Sequence, residues 1–108
     1  MPKKPRKLGP TGRLPPVHPG EILLEDLMKP LRISINRLSR DLRVPVNRVS
    51  EIVNGQRGIS ADTALRLARY FGNSPQFWVN LQSSYDLQVA MRESASRVDR
   101  EVQPRDAA

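Results

Sequence analysis

The chain has 108 residues, a formal net charge of +7 and no cysteine. A chain of this length forms one small domain, and the lack of cysteine excludes a disulfide scaffold and a thiolate metal site. No apolar run approaches the roughly 18 residues that span a bilayer, and the basic N-terminus is not followed by an apolar signal segment. We therefore expect a cytoplasmic protein with no cofactor and no membrane contact.

The positive charge is concentrated in two parts of the chain. Residues 1–17 carry five cations and no acid, and residues 32–69 carry eight arginines against three acids. Arginine favours bidentate contacts to phosphate or guanine. Charge alone leaves polyanion binding and a merely solvated surface equally open.

The N-terminal segment and the first helix differ sharply in pattern. Residues 1–16 are basic, rich in proline and glycine, and without periodicity, which predicts a disordered arm. The arm could follow a minor groove, contact an acidic partner or aid solubility. Helical periodicity begins after His18, a candidate N-cap, and predicts a helix over about Pro19 to Met28 that Lys29-Pro30 ends.

Four further helices follow, and no strand pattern occurs anywhere. Ser34 is a good N-cap for a second helix to about Leu42, and a third helix, from Pro45, ends at Asn54-Gly55. Val44 is a poor N-cap for that third helix. Ser60 and Gly72 bound a fourth helix, and Ser74-Pro75 opens a fifth to about Ser96, with residues 97–108 predicted to be frayed. The sequence therefore predicts an all-α, five-helix domain over residues 17–96.

The second and third helices, joined by a tight turn at about residues 34–54, have the arrangement of a helix-turn-helix. Packing in a bundle could produce the same pattern, but the third helix carries a polar stripe of Asn47, Arg48 and Glu51. In a major groove, asparagine pairs with adenine and arginine with guanine. We expect Asn47 and Arg48 to read bases. Glu51 either accepts from cytosine or forms an ion pair with Arg48 or Arg57, and Val46 either packs on the second helix or meets a thymine methyl.

Flanking groups are candidates for phosphate contacts on both sides of the third helix. Ser34 and Arg37 lie at the start of the second helix, where free N–H groups and the positive end of the dipole suit an anion. The loop after the third helix offers Asn54, Gln56 and Arg57. Arg40 and Arg43 are weaker candidates that could be plain surface charges.

The fifth helix carries an apolar seam of Phe77, Trp78, Leu81 and Tyr85. The seam could belong to the core, or its surplus could be covered by a two-fold partner, which would make these residues a homodimer surface. His18 is the only histidine, so one chain cannot assemble a histidine metal site. No residues form a catalytic constellation, and we do not expect an enzyme.

Three segments carry a more specific resemblance: "HPGEILLEDLMKPLRIS", "VNGQRGISADTALRLARYFGNSPQFWVNLQSSYDL" and the helices between them. Over about Val17 to Met91 the chain resembles the HigA antitoxins, which are lambda-repressor-like (XRE) helix-turn-helix proteins. The resemblance implies a five-helix domain that dimerises, represses its own operon and neutralises a HigB-type ribosome-dependent mRNA endonuclease. The chain departs mildly from the wider superfamily at Ser39, where a small residue is common, and departs more at Arg43, where glycine is common.

Two functions of different classes follow from that resemblance: operator binding and toxin inhibition. A two-fold dimer would reach successive major grooves about 34 Å apart, so the double-stranded operator should be an inverted repeat. The alternative is a stand-alone XRE-type transcriptional regulator without a toxin partner.

Overall fold

The computed structural model describes residues 15–106, which form five helices and no strand. Helix α1 spans three consecutive segments, Pro19–Ile22, Leu23–Met28 and Lys29–Leu31, of which the middle one has the wider π-helical turn. The others are α2 (Ile35–Leu42), α3 (Val46–Val53), α4 (Ala61–Phe71) and α5 (Pro75–Glu101). The predicted all-α, five-helix class is confirmed, while most of the predicted arm lies outside the described residues.

The prediction that Lys29-Pro30 ends the first helix is wrong. The helix continues to Leu31 and ends at Arg32, whose φ of 55° is left-handed. The N–H of Lys29 bonds to the carbonyl of Leu24, five residues earlier. In an α-helix the ring of a proline clashes with the carbonyl four residues before it, and the wider π turn makes room for the ring of Pro30.

The caps follow the sequence closely. The hydroxyls of Ser34 and Ser60 accept the N–H groups of Arg37 and Thr63, as their predicted N-cap roles require. His18 caps α1, because its Nδ1 accepts the N–H of Gly20 at 2.9 Å. Gly55 and Gly72 both have a φ of +75°, the left-handed conformation that ends α3 and α4.

The turn between α2 and α3 is left-handed at Arg43, whose φ is 60°. This conformation costs a non-glycine residue about 1 kcal/mol. Pro45, not Val44, is the N-cap of α3, and no side-chain hydrogen bond caps the helix. Val44 instead packs its half-buried side chain on the core, and its N–H donates to the carbonyl of Ser39. The side chain of Val44 therefore anchors the turn rather than capping the helix.

The core lies where all five helices meet. Trp78 of α5 is fully buried at its centre, and its Nε1 donates to Asn73 Oδ1 at 2.9 Å. Ser39 is also buried, and its hydroxyl donates to the carbonyl of Ile35 at 2.7 Å, so the small polar residue is satisfied. The buried apolar residues around them are Leu23, Met28, Leu38, Leu42, Val49, Ile52, Ile59, Ala64, Leu67 and Ala68.

Helix α5 extends to Glu101, five residues beyond its predicted end at Ser96. Residues 97–101 are therefore helical rather than part of a frayed tail. Arg97 and Glu101 lie one turn apart with Nε and Oε1 at 3.8 Å, a pair that favours helix over the last turn. The long helix gives the described part of the chain an extent of 55 Å along its longest axis.

Candidate nucleic-acid interface

Helix α3 presents one polar face opposite its buried side. At roughly 100° per residue, Asn47, Glu51 and Asn54 project away from the buried Val49 and Ile52. Asn47 is exposed in the first turn of α3. In helix-turn-helix proteins generally, the N-terminal residues of the recognition helix contact the base edges. Asn54, predicted as a phosphate contact, lies on this same face at the C-terminal end. We call Asn47, Ser50, Glu51 and Asn54 the polar face of α3.

Ser50 was not among the residues predicted from sequence, although its helical position places it on the polar face. It is half-buried, and its hydroxyl donates to the carbonyl of Asn47 at 3.3 Å. At about 100° per residue, residue 50 lies beside residue 54 on the helical wheel, and this position was the signal that could have identified it.

The sequence predicted that Arg48 lies in one polar stripe with Asn47 and Glu51. In the structure Arg48 lies instead on the flank of α3 that faces α4. Its side chain is 29 % exposed, and Nη1 donates to Asp62 Oδ2 at 2.9 Å. One residue along a helix turns the side chain by about 100°, so residues 47 and 48 cannot face the same way. Arg48 therefore borders the polar face of α3 rather than lying within it.

Asp62 joins Arg48 to a second arginine. The same Oδ2 accepts from Arg66 Nε at 2.9 Å, and Arg66 Nη1 donates to the carbonyl of Leu42 at the end of α2, also at 2.9 Å. The hydrogen bonds from Arg66 and then Arg48 lower the pKa of Asp62 below its usual value. These contacts connect α2, α3 and α4, and we call Arg48, Asp62 and Arg66 the arginine–aspartate network.

Glu51 is paired with Arg57, one of the two arginine partners considered for it. Arg57 Nη2 lies 3.1 Å from one carboxylate oxygen and 3.2 Å from the other. The backbone N–H of Gln56 also donates to the Glu51 carbonyl at 2.8 Å. These contacts hold the loop after α3 against the polar face of α3.

The other candidates lie on exposed surface. Val46 is 50 % exposed, which favours the thymine contact over packing on α2. Arg37 Nε lies 3.6 Å from Asp41 Oδ2, a loose pair that leaves the guanidinium accessible beside Ser34. Arg40 and Arg43, ranked as weaker candidates, are exposed and form no ion pair within residues 15–106.

The predicted dimer seam on α5 is mostly internal. Trp78 is fully buried in its own protomer, so its assignment to a dimer surface is wrong. Leu81 packs on the core, and the ring of Tyr85 lies edge-on to that of His18 with centroids 4.9 Å apart. Phe77 is 40 % exposed and is the member that a partner could cover. The spacing of the seam follows the core-facing side of α5, which explains the error.

His18 and Gly20 hold α1 against the end of α3. Added at Gly20, a Cβ would overlap the carbonyl oxygen of Ile52, so only glycine permits this approach. Burial lowers the pKa of His18, against smaller raising effects from Asp86 and a backbone hydrogen bond with Arg57. His18 and Gly20 therefore fix the start of α1 against the end of α3.

Metal-binding and membrane-spanning features are both absent from residues 15–106. Histidine and acidic side chains there form no group that could hold a metal ion. None of the helices described is both long enough and apolar enough to cross a membrane.

Comparison with known proteins agrees with this geometry. The chain matches the helix-turn-helix family HTH_3 over residues 24–78. Virulence-associated protein I of Dichelobacter nodosus is 49% identical over 89 residues, which cover 81% of this chain and 82% of that protein. Antitoxin HigA-1 of Vibrio cholerae is 38% identical over 72 residues, which cover 67% of this chain and 68% of that protein.

A solved structure of the Pseudomonas aeruginosa antitoxin HigA with the higBA promoter superimposes with a TM-score of 0.81. Its sequence is 46% identical, and the match covers 84% of this chain and 99% of that one. The chain therefore belongs to the helix-turn-helix proteins and, within them, to the HigA family of antitoxins.

Proposed function

We propose that this protein is a dimeric antitoxin that represses its own operon and neutralises a HigB-type mRNA endonuclease by direct binding. The observation that carries the DNA-binding part is the exposed Asn47 in the first turn of α3, after a tight turn from α2. The Pseudomonas aeruginosa relative, whose structure was solved with the higBA promoter, supports DNA binding by this chain. Such a protein acts in the cytoplasm, at the nucleoid when it is bound to its operator.

Base recognition depends on the polar face of α3 and its border. In this proposal Asn47 pairs with adenine, and Arg48 reaches guanine from the flank through N–H groups that Asp62 does not use. Glu51 acts mainly by holding Arg57, because its carboxylate oxygens both accept from that guanidinium. Val46 contributes its exposed methyl groups to a thymine contact.

Phosphate contacts on either side set the register. The N-terminus of α2, with Ser34 and Arg37, faces one backbone strand, and Gln56 and Arg57 face the other. Arg40, one turn after Arg37, and Arg43, at the C-terminal end of α2, add exposed positive charge. Binding should therefore weaken with salt by about one unit of log–log slope per phosphate contact.

Dimerisation is assigned to the exposed face of α5. Leu87, Met91 and Val98 are 64%, 61% and 47% exposed and recur at spacings that place them on one side of the helix. This side is opposite Trp78 and includes Phe77 at its edge. A second copy would remove the apolar stripe from water, and the two-fold axis would place two copies of α3 on successive half-sites of an inverted repeat.

Toxin neutralisation is inferred from family membership. A HigB-type toxin binds RNA and is basic, so its positive charge is repelled by the arginine-rich side of this protein. The toxin is therefore expected to bind away from α3, which predicts that operator-defective variants still neutralise it. A variant such as Asn47→Ala that loses both activities would show that the two surfaces overlap.

One experiment separates the proposed antitoxin from the stand-alone regulator. The gene beside this one would be expressed with and without the protein while translation is followed in a reporter extract. Restored translation at a one-to-one ratio supports the antitoxin. Repression of the operon without any restored translation would leave the stand-alone regulator as the function.

A further inference from the structure

We infer that Asp62 is a specificity-determining positioning residue, which orients Arg48 toward the bases although Asp62 itself belongs to α4. The inference rests on the proposed function, because it concerns how the operator is read. It goes beyond that function by placing a determinant of base preference outside the recognition helix.

The geometry around Arg48 supports this role. Its Nη1 is held by Asp62 Oδ2 at 2.9 Å, which leaves Nε and Nη2 able to donate elsewhere. Asp62 is in turn fixed by Arg66 Nε at 2.9 Å, and Arg66 is anchored on the carbonyl of Leu42. A chain of three hydrogen bonds therefore connects the end of α2 to the guanidinium at the edge of α3.

Arginine benefits from such support because its long side chain loses much rotamer freedom when it is fixed for a bidentate contact. A carboxylate that holds one N–H edge in advance reduces this loss at binding. The contact with Asp62 also orients the remaining donor edge of the guanidinium, Nε and Nη2. This orientation is important because guanine accepts through two atoms at a fixed separation. Without Asp62, Arg48 would still carry its charge but would bind the nearest phosphate as readily as a base.

Because Asp62 is negatively charged, its removal has different effects on DNA binding if Asp62 orients Arg48 than if it acts only through its charge. A carboxylate near the interface repels DNA phosphates, so it weakens binding to every sequence. If Asp62 mattered only for affinity, its removal would be favourable throughout. If it aims Arg48, its removal still raises affinity for the scrambled duplex, but on the operator the lost base contact offsets this gain, so discrimination between the two duplexes falls.

The test compares wild type with Asp62→Asn, which keeps the size of the side chain and removes the charge. Binding to the operator, to a scrambled duplex and to operators changed one base pair at a time would be measured by fluorescence anisotropy. We expect the ratio of operator to scrambled affinity to fall about tenfold, with the lost preference confined to one base pair per half-site. The salt slope should steepen because the freed Arg48 contacts phosphate.

Two matched variants separate this role from general electrostatics and from structure. Asp41→Asn removes an equal charge from an exposed acid that contacts Arg37 and Tyr70 instead, and should change affinity for all duplexes alike. Asp62→Glu retains the carboxylate and should restore part of the discrimination. In an Arg48→Ala background, Asp62→Asn should no longer change the ratio.

If wild type prefers the operator and Asp62→Asn has the same ratio of operator to scrambled affinity, the inference about Asp62 is overturned and the proposed function is not. The inference would also be overturned if Asp62→Asn reduced the ratio equally in the Arg48→Ala background, since its effect would then not pass through Arg48. A wild type that bound operator and scrambled duplex equally would overturn the proposed function and, with it, this inference. Circular dichroism of each variant confirms that its fold is retained.

Discussion

Gly20 lies directly against the carbonyl oxygen of Ile52, so that the first helix meets the recognition helix backbone to backbone. His18 links the same end of α1 to α5, because it caps α1 and its ring packs edge-on against that of Tyr85. The position of α3 is thus fixed by α1 and α5 from one side and by the arginine–aspartate network from the other.

Gly20→Ala should be strongly destabilising, because a methyl group at this position must displace the Ile52 backbone rather than a flexible side chain. We expect a loss of about 3 kcal/mol or more in the free energy of unfolding, measured by urea titration. Gly72→Ala is the matched control. Its φ is +75° but no atom lies within 4 Å of its added Cβ, so it should lose only about 1 kcal/mol. Equal losses would mean that the close approach is relaxed in solution.

Stability should fall as the pH is lowered below about 6.5, the usual pKa of histidine. The folded state lowers the pKa of His18, so above this pH both states are neutral and its contribution is fully present. As the pH falls, the unfolded state takes up the proton first, and stability is lost until the lower folded pKa is reached. Protonation also removes the acceptor for the Gly20 N–H.

His18→Asn tests this assignment, since asparagine can cap a helix without titrating. Urea midpoints at pH 7.5 and 5.5 should differ for wild type and differ much less for the variant. An identical pH dependence in both proteins would assign the effect to other groups. Asp86, whose charge raises the pKa of His18, is the first alternative to replace.

Arg43→Gly should stabilise the fold, because the left-handed φ of 60° is strained for arginine and not for glycine. We expect a gain of up to about 1 kcal/mol in urea unfolding. Arg40→Gly, which removes the same side chain from within α2, should lose about 1 kcal/mol instead. Destabilisation by both substitutions would show that the Arg43 side chain stabilises the turn in some other way.

Neighbouring residues on α5 should respond differently to truncation. Trp78→Ala removes a fully buried ring and should cost about 3–5 kcal/mol. Phe77→Ala and Met91→Ala remove exposed side chains and should change the stability of the protomer little. They should instead shift the monomer–dimer equilibrium toward monomer in sedimentation velocity, and an unchanged equilibrium would argue against the exposed face of α5 as the dimer surface.

The helices could be predicted from sequence because their signals are local. Serine N-caps, glycines at helix ends and the apolar period each depend on a few neighbouring residues, and α2, α3 and α4 begin or end within a residue of the expected positions. Pro30 was misleading because the π turn before it depends on hydrogen bonds five residues apart, for which the sequence carries no simple pattern.

The site was less predictable, since its electrostatic partners are distant in sequence. Arg48 and Asp62 are 14 residues apart, and Arg66 reaches a carbonyl 24 residues away. The exposed position of Asn47 followed from helix periodicity alone. Whether Arg48 faced outward or toward α4 depended on the packing of α4, which no local pattern reveals.

Operator discrimination by Asn47 is the central claim, and fluorescence anisotropy on the DNA upstream of the gene tests it most directly. Wild type, Asn47→Ala and the control Asn80→Ala, an exposed asparagine on α5, would be titrated onto operator and scrambled duplexes at two salt concentrations. We predict that wild type and Asn80→Ala prefer the operator and that Asn47→Ala loses about tenfold of that preference with its fold intact. Equal preference in wild type and Asn47→Ala would contradict the assignment of base reading to the first turn of α3.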